Sequence, residues 1–114
     1  MSTISHDDVG PDLRRISISG RLDTTGAGTI ASQLSALAAT PRKSVVVDLT
    51  GVQFLASVGV GTLISCAKAV KERGGKMVLL NLDAKVRQVL EIANLDKWIP
   101  MHQSLEEARS AVSV

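Results

Sequence analysis

The sequence contains almost no aromatic residues. Its 114 residues include one Phe, one Trp and no Tyr, so there is almost no platform on which nucleobases could stack. Thirteen Lys and Arg residues against eleven Asp and Glu residues give a formal net charge of +2. The basic residues are dispersed, often as pairs, and do not form a block. We therefore expect no nucleic-acid partner.

Cysteine and long apolar segments are also scarce. Cys66 is the only cysteine, so no internal disulfide can form, and a free thiol fits a reducing compartment. No uninterrupted apolar segment approaches the roughly 18 residues that a membrane-spanning helix requires. The first ten residues lack the basic and apolar regions of a secretory signal. These absences predict a cytoplasmic protein without membrane insertion.

The reactive groups that an enzyme brings together are missing as well. His6 and His102 stand alone, without the partner spacing of a metal site or of a nucleophile and its base. The segment Gly59-Val60-Gly61-Thr62 matches neither the P-loop pattern nor the dinucleotide fingerprint. We expect no enzymatic activity, no metal and no cofactor. A nucleotide-binding α/β domain is the least favoured alternative. Tight, stoichiometric binding of a nucleotide would support it.

The centre of the predicted fold is the apolar stretch that begins at Val45. Residues 45–47 are three consecutive valines with Leu49 close behind, and such a β-branched run suits a strand covered on both faces. From position 60 the apolar residues recur at helical spacing, at positions 60, 63, 64, 67 and 70. Residues 53–61 are therefore predicted to form a turn at the carboxyl end of the central strand, where open α/β sheets present binding sites.

This predicted turn holds the candidate site. Ser57 is the expected N-cap of the following helix, and a phosphoryl group would suit the unpaired amides nearby. Capping alone also explains Ser57, and close packing alone explains Gly59 and Gly61. Phe54 and Leu55 lie in the same predicted turn, where an apolar pair is either a lid on the core or an interaction patch.

The remaining patterns complete a single α/β domain over residues 1–114, with a mixed sheet of four to five strands and about four helices. No period indicates an internal repeat. Apart from the central strand and its helix, the predicted elements are a hairpin of strands at 3–9 and 13–19, a helix at 26–39, a parallel strand at 77–82, a helix around 86–93, a short strand at 99–101 and a last helix opened by a capping box at Ser104 and Glu107.

Several segments together resemble the STAS domains of bacterial anti-sigma factor antagonists. They are Gly20-Arg21-Leu22-Asp23, residues 46–50, residues 54–61 and residues 86–96. The resemblance implies a partner-switching protein that binds an anti-sigma factor of the serine kinase type and so releases a sigma factor. It also implies control by phosphorylation, because the kinase modifies a Ser or Thr within an Asp-Ser-Ser/Thr-Gly motif in that family. We expect a monomer or a weak dimer.

The resemblance places that motif on Ala56-Ser57-Val58-Gly59, so Val58 occupies the usual acceptor position and Ala56 that of the aspartate. Two interpretations remain open: Ser57 accepts the phosphoryl group, or the domain binds its partner constitutively and Val58 belongs to the contact surface. The expected partner-binding residues are Asp23, Thr24, Phe54, Leu55, Ser57, Val58, Gly59 and Gly61.

A different use of the same fold is the alternative function. STAS-like domains also occur as subunits of lipid or anion transport complexes, and the chain could serve there or as another non-enzymatic signalling scaffold. A sequence pI near 9.0 permits a complex beside a membrane. The chain shows no basic amphipathic helix of the kind that binds a membrane surface.

Overall fold

A mixed sheet of five strands forms the centre of the molecule. The computed structural model describes residues 3–10, 13–39, 44–72, 74–80, 83–94, 99–102, 106–107 and 110. The strands lie in the sheet in the same order as in the sequence. They are β1 (Thr3–Gly10), β2 (Leu13–Leu22), β3 (Ser44–Leu55), β4 (Met77–Leu80) and β5 (Met101–His102).

The first two strands form an antiparallel hairpin, and each later strand pairs in parallel with its predecessor. Ion pairs across the hairpin join Arg14 to Asp8 at 2.8 Å and Arg15 to Asp7 at 3.0 Å. Charged side chains along an edge strand discourage pairing with another sheet. The predicted hairpin and the parallel crossover between β3 and β4 are confirmed.

Three helices connect the parallel strands: α1 (Thr24–Ala38), α2 (Ser57–Glu72) and α3 (Ala84–Ile92). About four helices are predicted, and the structure defines three within its described residues. Glu106 and Glu107 are helical, but Ser104, the predicted cap of a fourth helix, lies outside the described residues.

The central strand β3 is covered on both faces, as predicted. Val45, Val47 and Leu49 belong to a buried cluster with residues of all three helices. Val46 lies between them in sequence and is buried in a second cluster with residues of β2 and β4. Neighbouring residues of a strand point to opposite faces, so the two clusters lie on opposite faces of the sheet.

β3 is longer than its sequence pattern indicates. It continues through Thr50 and Gly51 into the segment 53–61 that is predicted as a turn, and ends at Leu55. Its register with β2 shifts by one residue between positions 17 and 19 of β2, and by one more between positions 20 and 21. The Asp48 carboxylate accepts a hydrogen bond of 2.9 Å from the Thr50 backbone amide. A bulge of this kind lets pairing continue past an extra residue.

The following helix α2 ends at a turn that contains Gly74 and Gly75. The Gly75 amide donates to the Val70 carbonyl at 3.0 Å, and Gly74 has a φ of +85°, a conformation that glycine adopts at little cost. Cys66 is buried within α2. Within the described part of the chain, no helix is long and apolar enough to cross a bilayer.

Candidate docking surface

The carboxyl ends of β2 and β3 lie side by side at one edge of the sheet. Arg21 pairs with Phe54 and Leu22 with Leu55 in the parallel register, and the Ala56 amide donates to the Leu22 carbonyl at 2.9 Å. Each strand passes almost directly into a helix, because α1 begins at Thr24 and α2 at Ser57. The N-termini of two helices therefore lie at the carboxyl ends of the parallel strands, where the sequence predicts the site.

The start of α2 corrects the predicted role of Ser57. The Val60 amide donates to the Ala56 carbonyl at 3.1 Å, so Ala56 occupies the N-cap position, and its methyl side chain cannot accept a hydrogen bond. Ser57 is the first residue of the helix and is exposed. The prediction that Ser57 caps α2 is wrong, because β3 extends further than expected and leaves a single residue before the helix.

Two apolar side chains are exposed beside Ser57. Phe54, in β3, is 39% exposed, and Val58, in α2, is 45% exposed. The Arg21 guanidinium carbon lies 4.3 Å from the centre of the Phe54 ring, within the range of a cation–π interaction. We define the docking surface as six of the exposed and half-buried residues at this end of the sheet: Arg21, Asp23, Phe54, Ser57, Val58 and Gly61.

Leu55 and Gly59 are predicted partner-binding residues that the structure places in the core. Leu55 is only 4% exposed. A Cβ atom added at Gly59 would lie 2.6 Å from Cδ1 of Leu55 and 3.1 Å from both Cβ and O of Leu22, closer than packed atoms approach. These two residues support the first turn of α2 from beneath, and their part in partner binding stays a prediction.

The first turn of α1 contains the other two predicted residues. The Asp23 Oδ1 atom accepts a hydrogen bond of 2.8 Å from the Gly26 amide, so Asp23 caps this helix. Its Oδ2 atom lies 3.8 Å from Nε of Arg21. Thr24 is the first residue of α1, and its side chain lies outside the described part of the structure.

Arg21 is a residue of the docking surface that is not among those predicted from the sequence. Arg21 is exposed at the end of β2, between the Phe54 ring and the Asp23 carboxylate. The sequence does hold one indication of its role. Arg21 precedes Leu22, which is buried, and neighbouring side chains of a strand point to opposite faces, so the Arg21 side chain points away from that part of the core.

A family model that describes the STAS domain matches residues 6–108. The chain belongs to the STAS domain family. An anti-sigma F factor antagonist of Paenibacillus polymyxa is 24% identical over 100 residues, which cover 87% of this chain and 86% of that protein. The crystal structure of an anti-sigma factor antagonist from Mycobacterium paratuberculosis superposes with a TM-score of 0.89 at 25% identity, covering 100% of this chain and 96% of that one.

The STAS fold also occurs in much longer proteins. The murine anion transporter Slc26a9 contains a region that superposes on 98% of this chain with a TM-score of 0.78, but that region is 22% of the transporter and only 12% identical in sequence. Likeness at this level shows the fold alone. The predicted family and its α/β fold are thus confirmed, while function must be argued from the site.

In this STAS domain, the two strand-to-helix corners repeat each other. Residues 22–30 and 55–63 share the pattern Leu-x-Ser/Thr-x-Gly-x-Gly-Thr-Ile/Leu, although no internal repeat is predicted. The first glycine of each corner is buried and the second is exposed. Thr29 and Thr62 each donate a side-chain hydrogen bond to the carbonyl four residues earlier, at 2.9 and 3.0 Å. The two corners are therefore alike in environment as well as in sequence.

A depression in the described structure lies away from the docking surface. The described residues form a small polar depression of about 140 Å³ on the sheet, lined mainly by hydroxyl side chains, and it contains no residue of the docking surface. The described part of the STAS domain also brings together no three His, Cys, Asp or Glu residues in a metal-binding arrangement. The exposed apolar side chains of the docking surface fit contact with a protein partner.

Proposed function

We propose that this STAS domain is an anti-sigma factor antagonist. It binds an anti-sigma factor of the serine kinase type in the cytoplasm and so releases a sigma factor, and it acts by binding instead of catalysis. The exposed apolar pair Phe54 and Val58 at the carboxyl edge of the sheet carries this proposal. The names of its relatives from Paenibacillus polymyxa and Mycobacterium paratuberculosis support it.

The docking surface has the composition of an energetic centre in a protein interface. Aromatic side chains and Arg are enriched among the residues that contribute most to binding, and here Arg21 is already held over the Phe54 ring. An Arg ordered before binding loses less conformational entropy when the partner arrives. Val58 extends the apolar surface onto α2, and contact would remove it from water.

Phosphorylation of Ser57 would switch this surface off. A phosphate adds a charge of about −1.5 to −2 at neutral pH, and the amides of the first helical turn tolerate that charge, so the fold is retained. Binding would then have to remove the charge from water beside Phe54 and Val58, which is costly. If Ser57 is not modified, the same surface binds its partner constitutively, because Val58 has no hydroxyl group.

We expect Ser57→Asp to weaken partner binding by at least about tenfold without loss of the fold, because it places a negative charge beside the apolar pair. The test is affinity capture from a lysate of the source cells, with the captured proteins identified by mass spectrometry and their affinity then measured with purified components. Wild type is expected to capture an ATP-binding serine kinase that Ser57→Asp does not.

Ser65→Asp is the matched control, since it makes the same change at an exposed position two turns further along α2. It is expected to capture the kinase as wild type does. Equal capture by Ser57→Asp would show that the start of α2 is not the contact. Capture of transporter subunits by all three proteins would favour the alternative role as a scaffold in a transport complex.

A further inference from the structure

We propose that the polar depression on the sheet is a binding site for a primary ammonium group. A row of three residues crosses the depression from strand to strand. Ser5 of β1 pairs with Ser17 of β2 in the antiparallel register, and Ser17 pairs with Asp48 of β3 in the parallel register. All three line the depression, and none belongs to the docking surface. This site is therefore separate from the proposed contact with the anti-sigma factor.

The polar row lies on the face of the sheet that the three helices leave open. The residues on either side of Ser17 and of Asp48 in the sequence belong to the buried cluster that contains residues of all three helices. Neighbouring residues of a strand point to opposite faces, so Ser17 and Asp48 point away from those helices. Val46, two residues before Asp48 on the same face, is buried in the second apolar cluster. A half-buried carboxylate this close to an apolar cluster requires a polar partner.

The Asp48 carboxylate has one oxygen in use and one available. Its Oδ1 atom accepts hydrogen bonds from the amide and the hydroxyl group of Thr50. Its Oδ2 atom makes no hydrogen bond or ion pair with the residues that the structure describes. The Arg15 guanidinium, two residues before Ser17 in β2, is held by Asp7 at 3.0 and 3.1 Å. The negative charge of Asp48 is therefore open to a cation that enters from solvent.

The spacing of the row selects the kind of cation. Side chains that lie opposite each other on adjacent strands are about 4.8 Å apart. An ammonium group donates tetrahedrally, so two of its hydrogen bonds, each about 2.9 Å long, reach acceptors about 4.7 Å apart. At the usual bond lengths of Mg²⁺ and Ca²⁺, neighbouring oxygen ligands lie only about 2.9–3.7 Å apart. The gap between Ser17 and Asp48 therefore fits an ammonium nitrogen better than a metal ion.

The acceptors at this gap also match the donors of a primary ammonium group, which has three N–H groups and no acceptor. The Asp48 Oδ2 atom and the Ser17 hydroxyl oxygen accept two of them. The Thr50 hydroxyl oxygen, which contacts the same carboxylate, has a lone pair for the third. Hydrogen bonds between an ammonium group and a carboxylate are stronger than those between neutral groups.

Gly51 keeps the depression open. A Cβ atom added at this position would lie 2.5 Å from Cβ of Ser19 and 3.1 Å from its Cα, so a side chain has no room there. The Ser19 hydroxyl group is in turn hydrogen-bonded to that of Thr3 at 2.5 Å. The open volume is about 140 Å³, well below the roughly 300–1,000 Å³ of sites for larger ligands. It suits an ammonium group with a short carbon chain.

The test is a titration of the full chain, labelled with nitrogen-15, with methylammonium chloride at constant ionic strength, followed by NMR. We expect saturable shifts of the amide signals of Ser17, Asp48 and Thr50. Asp48→Asn keeps an oxygen for the Thr50 amide but removes the charge, so it should weaken binding by at least about tenfold. Asp83→Asn is the matched control, since it makes the same change at the N-cap of α3, and it should bind as wild type does.

Ser17→Ala is a second variant, which keeps the proposal testable if Asp48→Asn does not fold. It removes one acceptor at little change in volume and should weaken binding several-fold. Tetramethylammonium carries the charge without an N–H donor, so equal binding of this ion would overturn the proposal. The same saturable shifts with Na⁺ or K⁺ would overturn it in favour of a metal site. Absence of a saturable shift with methylammonium would also overturn it.

A lysine side chain of another protein carries the same ammonium group as a free amine. A parallel titration with Nα-acetyl-lysine amide distinguishes the two sources. Tighter binding of this compound than of methylammonium would identify a lysine side chain as the source, and weaker or equal binding would identify a free amine. Both results support the site, whereas loss of neither affinity in Asp48→Asn would contradict it.

Discussion

Replacement of Leu55 by alanine is expected to lower the free energy of unfolding by about 2–5 kcal/mol. Leu55 is 4% exposed, and its side chain lies directly beneath Gly59 at the start of α2. Its removal leaves a cavity between the end of β3 and the first turn of the helix. Urea denaturation followed by circular dichroism measures the loss.

Val58→Ala is the matched variant three residues later. Val58 is 45% exposed, and alanine favours the helix, so the free energy of unfolding should change by less than about 0.5 kcal/mol. Partner binding should nevertheless weaken. A stability loss at Val58 as large as that at Leu55 would contradict the division between buried support and exposed contact.

Gly59→Ala is expected to destabilise the fold by about 1–3 kcal/mol, because the added methyl group has no space. It would lie 2.6 Å from Leu55 Cδ1 and 3.1 Å from the Leu22 carbonyl oxygen. Either the Leu55 side chain repacks or the first turn of α2 moves away from the sheet, and both lower stability. The same measurement by urea denaturation applies, and reduced partner binding should accompany the shift.

Gly61→Ala is the control on the same helix. A Cβ atom at Gly61 meets nothing within 4 Å, and alanine stabilises a helix by about 1 kcal/mol relative to glycine. This variant should therefore be as stable as wild type or more so. Destabilisation of both variants to the same extent would show that the close packing at Gly59 does not hold the helix in place.

The fold could be predicted from the sequence because apolar residues recur in its strands and helices at the spacing typical of each. The valines of β3 and the helical stripe from Val60 identify the crossover that organises the sheet, and the structure confirms both. The length of β3 could not be predicted, because Thr50 and Gly51 are residues typical of the end of a strand. Pairing with β2 through a register shift overrides that local preference.

The details of the candidate site depend on where β3 ends. Once the strand reaches Leu55, the alternation of side chains turns Phe54 outward and Leu55 inward. The same shift moves the N-cap from Ser57 to Ala56. A sequence pattern could not distinguish these outcomes, because the deciding contact is a backbone hydrogen bond from Ala56 to Leu22, a residue that is distant in sequence.

The similarity between the two corners is present in the sequence, but the sequence does not show that the two segments lie next to each other. Residues 22–30 and 55–63 are too short to indicate a repeated domain. They gain meaning only when the sheet places Leu22 beside Leu55. Arg21 gains its importance in the same way, because its contact with Phe54 follows from the register of two strands and not from sequence proximity.

The most direct test of the docking surface is an isothermal titration of the captured kinase with Val58→Asp and with Ile92→Asp. Both residues are exposed apolar side chains on helices, at 45% and 76% exposure, and they lie on α2 and α3 respectively. We expect Val58→Asp to raise the dissociation constant by at least about tenfold and Ile92→Asp to leave it unchanged. Equal affinities for wild type and Val58→Asp would contradict the assignment of this sheet edge as the surface that binds the partner.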